Sequence, residues 1–250
     1  MVYVIISITI MTLEWGEAMV NMKENAGKYA VSHVRDGMVV GLGTGSTAYY
    51  FIKELGQQIA NGDLQAIRAV ATSKESFQLG LDFGIDMVRI DDVEKVDLLV
   101  DGADEATLGF NGIKGGGGAL LYEKILSLYS DRVIWIVSQD KIKDKLGAFP
   151  IAVEVIKFGA WKLFKTFHQA GMNPSFRKAG KDKLYCTDAD NYIIDLHLGP
   201  TDDIQRLAFE LKNMVGVVDH GLFLNIADMI IVGTSDGNID EHHKKLDGSV

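Results

Sequence analysis

The spacing of apolar and polar residues changes period repeatedly along this chain, and the changes mark out its elements. Apolar-rich runs at Met38–Leu42, Ile67–Thr72, Val96–Val100, Val133–Val137 and Ile226–Val232 have the texture of strands buried on both faces. Segments of helical spacing alternate with them: Met22–His33, a stretch from the Ser/Thr turn after Leu42 to Gln58, Lys74–Phe83, and a helix carrying Glu123. A further short strand is expected at Asp86–Ile90. Strands alternating with helices predict a parallel sheet covered by helices on both faces. After Pro150 the texture changes. A strand at Ile151–Ile156, a helix near Trp161–Ala170, strand-like Lys183–Cys186 and Tyr192–Leu196, and a helix over Thr201–Asn213 read as a smaller α+β unit.

The fold class expected is therefore α/β, a doubly wound, mostly parallel, Rossmann-like sheet with a second, smaller α+β domain. The boundaries expected are residues 19–148 plus 222–250 for the first unit and 149–221 for the second. Residues 1–18 stand apart as an extension. Val2 to Met11 is apolar but too short to span a bilayer, and Glu14 and Glu17 follow it where a secretory leader would be basic. Met11 or Met19 as the natural start, an added strand, and a disordered arm are the open readings of this segment. The polar tail from Asn238, with His242 and His243, is expected to be solvent-exposed.

Composition narrows the function. A chain of 250 residues that is 47% apolar can bury one large core or two unequal ones. A net charge of −9 argues against nucleic acid or an anionic membrane surface as a partner. The single cysteine, Cys186, has no partner for an internal disulfide, which suits a reducing, cytoplasmic setting, and a packed thiol is expected there.

Three stretches carry the candidate chemistry. In Lys114-Gly115-Gly116-Gly117-Gly118-Ala119-Leu120-Leu121-Tyr122-Glu123, four glycines let bare amides approach a ligand at the start of a helix. Glu123 lies about one turn into that helix, where a carboxylate base beside an oxyanion cradle suits proton abstraction next to a carbonyl. The competing reading is a surface loop followed by a solvated Glu/Lys pair. In Gly41-Leu42-Gly43-Thr44-Gly45-Ser46-Thr47, a strand runs into a Gly/Ser/Thr turn that suits a phosphate. It lacks the lysine of a P-loop, and G-x-G-x-G followed by a strand ending in Thr72 and Ser73 does not fit a dinucleotide fingerprint. In Val96-Asp97-Leu98-Leu99-Val100-Asp101-Gly102-Ala103-Asp104-Glu105, a strand delivers three acids to its C-terminal end. They are capping residues or a site; as a Mg²⁺ site they lack further His or Asp partners.

In this order and at this spacing, Gly43–Thr47, Asp101–Glu105 and Lys114–Glu123 resemble the type A ribose-5-phosphate isomerases. Weaker echoes at Ala71–Ser73, Phe149–Val155, Gly216–Phe223 and Gly233–Gly237 extend the resemblance over roughly residues 20 to 240. It implies interconversion of ribose 5-phosphate and ribulose 5-phosphate in the pentose phosphate pathway through a cis-enediol(ate). Glu123 is then the base, Lys114 with the amides of Gly115, Gly116 and Gly117 the oxyanion cradle, and Asp101 and Asp104 the groups for ring opening and hydroxyl binding, next to Gly102 and Ala103. Thr44, Gly45, Ser46 and Thr47 would hold the phosphate, with Lys23 and Lys141 supplying charge. No metal or organic cofactor is implied, and a homodimer or homotetramer is expected. Gly118 stands where many members have alanine, which should loosen the loop. The rivals are a non-catalytic phosphosugar-sensing domain, or an isomerase or deaminase acting on another phosphosugar. A deaminase would carry a histidine beside its acids, yet none falls between His33 and His168.

Overall fold

The computed structural model describes residues 22–245; the expectations for residues 1–18 lie outside them. Helix α1 (residues 22–30) leads through a 3-10 turn to β1 (Val39–Leu42), α2 (Ser46–Asn61), β2 (Arg68–Ala71), α3 (Lys74–Asp82) and β3 (Asp86–Met87). Then come β4 (Leu98–Gly102), the short β5 (Glu105–Ala106) and β6 (Asn111–Ile113), α4 (Leu120–Leu128) and β7 (Val133–Ser138). The second half holds β8 (Ile151–Val155), α5 (Ala160–Gln169), β9 (Pro174–Phe176), β10 (Tyr192–Leu196), α6 (Ile204–Lys212), β11 (Val217–His220), β12 (Leu222–Leu224), β13 (Met229–Gly233) and β14 (Ile239–His243).

Seven strands form the main sheet in the order β14-β13-β7-β4-β1-β2-β3, parallel throughout except for the antiparallel β13–β14 pair. Alternate side chains of one strand go to opposite faces. In β7, Ile134 and Ile136 join the core beneath α1, α2 and α3, while Val133, Trp135 and Val137 join the core beneath α4. Leu98 and Val100 against Leu99 in β4, and Met229 and Ile231 against Ile230 and Val232 in β13, divide in the same way. That two-sided burial explains why these strands read as unbroken apolar runs. The fold is thus the doubly wound α/β class expected.

A four-stranded antiparallel sheet, β11-β8-β10-β9, carries the second half of the chain. With α5 and α6 it encloses a separate core that includes Val153, Phe167, Ile194 and Leu211. The third sheet, β12-β6-β5, links the two larger ones.

The polar segment after Asn238 leaves Asp240 and His243 exposed and His242 half-buried, and it also forms strand β14, whose five residues pair along the whole of β13; as an edge strand it needs only one apolar contact, and Ile239 supplies it. Two local expectations fail. Lys183–Cys186 forms only isolated bridges, Lys178 with Leu184 and Cys186 with Tyr192. Cys186 itself is exposed rather than packed, because its neighbour Tyr185 takes the inward-facing position.

Candidate active site

The strand order reverses direction at the β1–β4 junction: the chain builds outward from β1 to β3, then returns to place β4 on the other side of β1. Ligands of open α/β sheets bind outside the carboxyl ends of the strands at such a point. Both expected loops emerge there, Gly43–Thr47 from β1 and Asp101–Asp104 from β4. Gly43 allows the close approach: a Cβ on it would lie 2.2 Å from Asp101 Oδ1.

Gly45 has φ +107°, a value that favours glycine, and leads directly into the sixteen-residue α2. The unpaired amides of that helix's first turn open into the cleft, together with its positive dipole end. The Thr44 hydroxyl turns the other way. Its Oγ1 lies 2.7, 2.9 and 3.2 Å from the hydroxyls of Thr72, Ser73 and Ser76, while its amide donates to Asp101 Oδ1 (3.1 Å). Ser76 Oγ donates in turn to Gly43 O (2.7 Å), so Thr44 fixes the loop, and its two polar groups are already engaged. Lys23 Nζ, reaching from α1, donates to Ser46 Oγ at 3.1 Å.

Across the cleft, three charged side chains meet without solvent. Lys114 Nζ stands 3.0 Å from Asp101 Oδ2 and 3.3 Å from Glu123 Oε2 and donates to Gly102 O (2.5 Å). Exposures are 1% for Asp101, 2% for Lys114 and 4% for Glu123. Both carboxylate oxygens lie within ion-pair distance of the ammonium but have no hydrogen bond of good geometry. One cation thus faces two carboxyls. Burial raises the Glu123 pKa to about 8, with the Lys114 charge opposing the shift and Asp101 and Asp104 reinforcing it. Burial likewise raises Asp101 above the usual carboxylate range, against the pull of Lys114 and of the Thr44 and Gly102 amides. For Lys114, burial disfavours the charge, but Asp101 and Glu123 more than offset it, and the ammonium persists. A carboxyl poised near neutrality beside a fixed cation has the chemistry of a general base.

The remaining acids separate. Asp104 Oδ2 accepts from Gly116 N (2.7 Å) and so anchors the glycine loop from within the cleft. Glu105 turns away to accept from Gly147 N and Phe149 N at 2.8 and 2.7 Å, a structural role. Among the described residues, no three His, Cys, Asp or Glu side chains converge as metal ligands. The glycines of the loop have steric reasons. Gly115 (φ +101°) and Gly118 (φ +82°) occupy the left-handed region, and a Cβ on Gly116 would lie 2.5 Å from Asp104 Oδ1. Gly118 does not loosen the loop, since Tyr185 fills the space a Cβ would need. Nor are Glu123 and Lys124 a solvated pair: Lys124 turns from the cleft to Asp219 Oδ1 (2.6 Å) and stacks over the Phe223 ring, 4.7 Å from its centre.

The residues assigned to catalysis or substrate binding from the sequence all line this cleft, except Asp101, which lies behind Lys114. One lining residue went unnoticed. Ser138 ends β7 with its hydroxyl buried and unpaired, and it leaves the following turn with Lys141 uncapped; a serine closing an apolar strand is the only signal the sequence offered.

Fold and cleft together define an α/β protein whose switch-point cleft sets the free amides of a helix start and two lysines opposite a buried Lys–carboxylate cluster. A family model described as "Ribose 5-phosphate isomerase A (phosphoriboisomerase A)" matches residues 68–237. A protein of Limosilactobacillus reuteri named ribose-5-phosphate isomerase A is 50% identical over 216 residues, covering 86% of this chain and 95% of the relative. A D-ribose-5-phosphate isomerase solved in complex with phospho-erythronic acid superposes with a TM-score of 0.86 at 35% identity, covering 89% of this chain and 98% of the other. The ribose 5-phosphate isomerase of Plasmodium falciparum superposes with a TM-score of 0.86 at 29% identity, over 91% and 100%. The chain belongs to the ribose 5-phosphate isomerase A family.

Proposed function

We propose that this protein interconverts D-ribose 5-phosphate and D-ribulose 5-phosphate, with Glu123 as the single base that carries the proton between C2 and C1. The observation that supports this most is Glu123 itself, which lines the cleft that the start of α2 also lines and whose buried Oε2, without an aligned hydrogen bond, stands 3.3 Å from Lys114. The phosphate sits on the amides of Ser46 and Thr47, between Lys23 and Lys141, where local positive charge offsets the net −9 of the chain. With the open-chain aldose so held, the Glu123 carboxylate removes the C2 proton and electron density moves onto O1. Lys114 and the Gly117 amide stabilise that oxygen as its charge develops. The O2 proton passes to O1, Glu123 returns its proton to C1, and the C2 ketone is formed. Asp101 holds Lys114 in its charged form, and Asp104 faces the sugar hydroxyls and the ring-opening step.

Phospho-erythronic acid, the compound in the related complex, combines a phosphate with a carboxylate whose planarity and negative charge resemble those of the enediolate end. On this reading it competes with ribose 5-phosphate here. A cytoplasmic homodimer or homotetramer in the pentose phosphate pathway completes the proposal, and the exposed Phe158 and Trp161 on the smaller sheet's side offer apolar contact surface. The deciding experiment compares ribulose 5-phosphate formation by the wild type and Glu123→Gln, with EDTA present. Turnover in the wild type, reduced about 10²- to 10⁴-fold in the variant, is expected. An inactive, well-folded wild type that still binds ribose 5-phosphate would point to a sensor or another substrate, and an active variant would remove Glu123 as the base.

A further inference from the structure

The glycine loop that frames the reactive end of the cleft is held from outside the cleft. Arg177 follows β9 in the smaller sheet, some sixty residues from the loop in sequence. Its Nη1 donates to Gly115 O at 2.5 Å and to Gly116 O at 3.1 Å. Its other face is fixed by Asp195 of β10, with Nε to Oδ2 at 3.0 Å and Nη2 to Oδ1 at 2.5 Å. The strand itself is secured on both sides, Arg177 N donating to Ile193 O and Tyr185 N to Arg177 O, each at 2.9 Å. Tyr185 adds a third contact, its hydroxyl donating to Gly117 O at 3.3 Å. Three successive carbonyls of the loop are therefore drawn toward the smaller sheet.

A planar trans peptide points its N–H opposite to its C=O. Holding the Gly115 carbonyl outward directs the Gly116 amide inward, and that amide does reach the cleft, where it donates to Asp104 Oδ2 at 2.7 Å. Holding the Gly116 carbonyl outward does the same for the Gly117 amide, whose residue lines the cleft. A glycine run has no side chains to set these planes, and its backbone freedom is the largest of any residue. To the turn bond from Gly118 N to Gly115 O (3.0 Å) and the Asp104 anchor on Gly116 N, the guanidinium adds a rigid fork that two carboxylate oxygens orient. Its charge also polarises the two peptide units and makes their N–H groups better donors.

We infer that Arg177, oriented by Asp195, is a positioning residue: it aims the Gly116 and Gly117 amides into the cleft without touching the substrate. The kinetic part of this inference rests on the isomerase reading above; the loop geometry does not.

The test pairs steady-state kinetics with amide hydrogen exchange of the 114–121 segment in the wild type, Arg177→Gln and Arg177→Lys. For Arg177→Gln, kcat falls about 10- to 100-fold, as expected when reacting groups are misplaced by a fraction of an ångström to 1 Å. KM for ribose 5-phosphate and the inhibition constant of inorganic phosphate stay within about threefold of wild type, since the α2 phosphate site is untouched. Exchange quickens in the 114–121 segment but not in the main sheet. Arg177→Lys, which keeps a charge and one donor, recovers part of kcat. The inference is overturned by a kcat within about threefold of wild type, by unchanged loop exchange, or by a parallel collapse of kcat, phosphate binding and exchange protection throughout the chain. If Arg177→Gln does not fold, Asp195→Asn, which leaves the guanidinium but frees it, must show the same kcat and exchange pattern in weaker form. If the wild type fails to turn over ribose 5-phosphate, the isomerase reading falls, and loop exchange alone decides the role of Arg177.

Discussion

Replacing Glu123 with glutamine should stabilise the folded protein at alkaline pH while removing its turnover. The carboxyl has an ordinary pKa of 4.5 in the unfolded chain and about 8 in its buried setting. A group whose pKa is raised by folding gives its full stability below the unfolded value and loses it as the pH rises through the folded one. Below pH 4.5 both states carry the proton, and ionisation costs the fold nothing. Between 4.5 and 8 the unfolded chain releases the proton more readily, and the native state weakens. Moving the pKa from 4.5 to about 8 corresponds to about 5 kcal/mol at most. Lys114 is shared with Asp101, so part of that cost falls on the neighbour, and a gain of about 2–4 kcal/mol is expected for the variant at pH 8.5 relative to pH 4.5. Glutamine keeps the size and remains neutral throughout. For a chain of this length each kcal/mol is worth roughly 2–4 °C in Tm. Thermal and urea unfolding of both proteins at half-unit intervals from pH 4.5 to 9 provide the measurement. A wild-type-to-variant difference that does not vary with pH, or that shrinks as pH rises, would refute the electrostatic account of this site.

The same carboxyl should govern activity, so kcat/KM should climb as pH rises toward 8 and level off above it; a profile already declining at pH 7.5 would exclude Glu123 as a base of the raised pKa described. Lys114→Met leaves two buried carboxyls without their cation, and kcat should fall about 10²- to 10³-fold with the pH rise displaced further upward; a loss under tenfold would contradict its place at the oxyanion. Lys141→Ala should raise KM for ribose 5-phosphate and the inhibition constant of inorganic phosphate by the same factor, about tenfold, with kcat within threefold; a change in kcat alone would move Lys141 from the phosphate to the reacting end.

The sequence revealed most where local chemistry repeats a physical rule. Val133–Val137 reads as a doubly buried strand because it is one, and the Gly/Ser/Thr turn after β1 could be located from its residue types. Where structure depends on partners distant in the chain, the pattern was silent. Ile239–His243 pairs with β13 through backbone groups, and its Asp-Glu-His-His side chains give no period that marks a strand. Strands β5, β6 and β12 have two or three residues each, too few to alternate visibly. Three acids at and after the end of β4 look alike in sequence, yet Asp101 lies behind Lys114, Asp104 anchors the loop and Glu105 caps two distant amides. Thr44 belongs to the phosphate turn by position, but its hydroxyl is taken by Thr72, Ser73 and Ser76, a contact that only folding creates. Arg177 gave no signal at all, because what matters about it is which carbonyls it reaches.

Gly221 has a consequence for the order in which the molecule can be made. It is wedged between the residue after β6 and strand β8: Lys114 N donates to its carbonyl at 2.8 Å, its own amide donates to Ala152 O at 2.7 Å, and a Cβ on it would lie 2.2 Å from Lys114 O. The backbone beneath Lys114 is therefore completed by a residue synthesised 107 positions later, and β13, inserted beside β7, comes later still. A nascent chain emerging N-terminal end first can form β1 to β4 early, but the Lys114 backbone gains this anchor only when most of the chain has left the ribosome. Contacts so far apart in sequence also slow folding from the unfolded state. Activity should accordingly be the last property to appear during synthesis or refolding, after helix content and most of the large sheet are already in place.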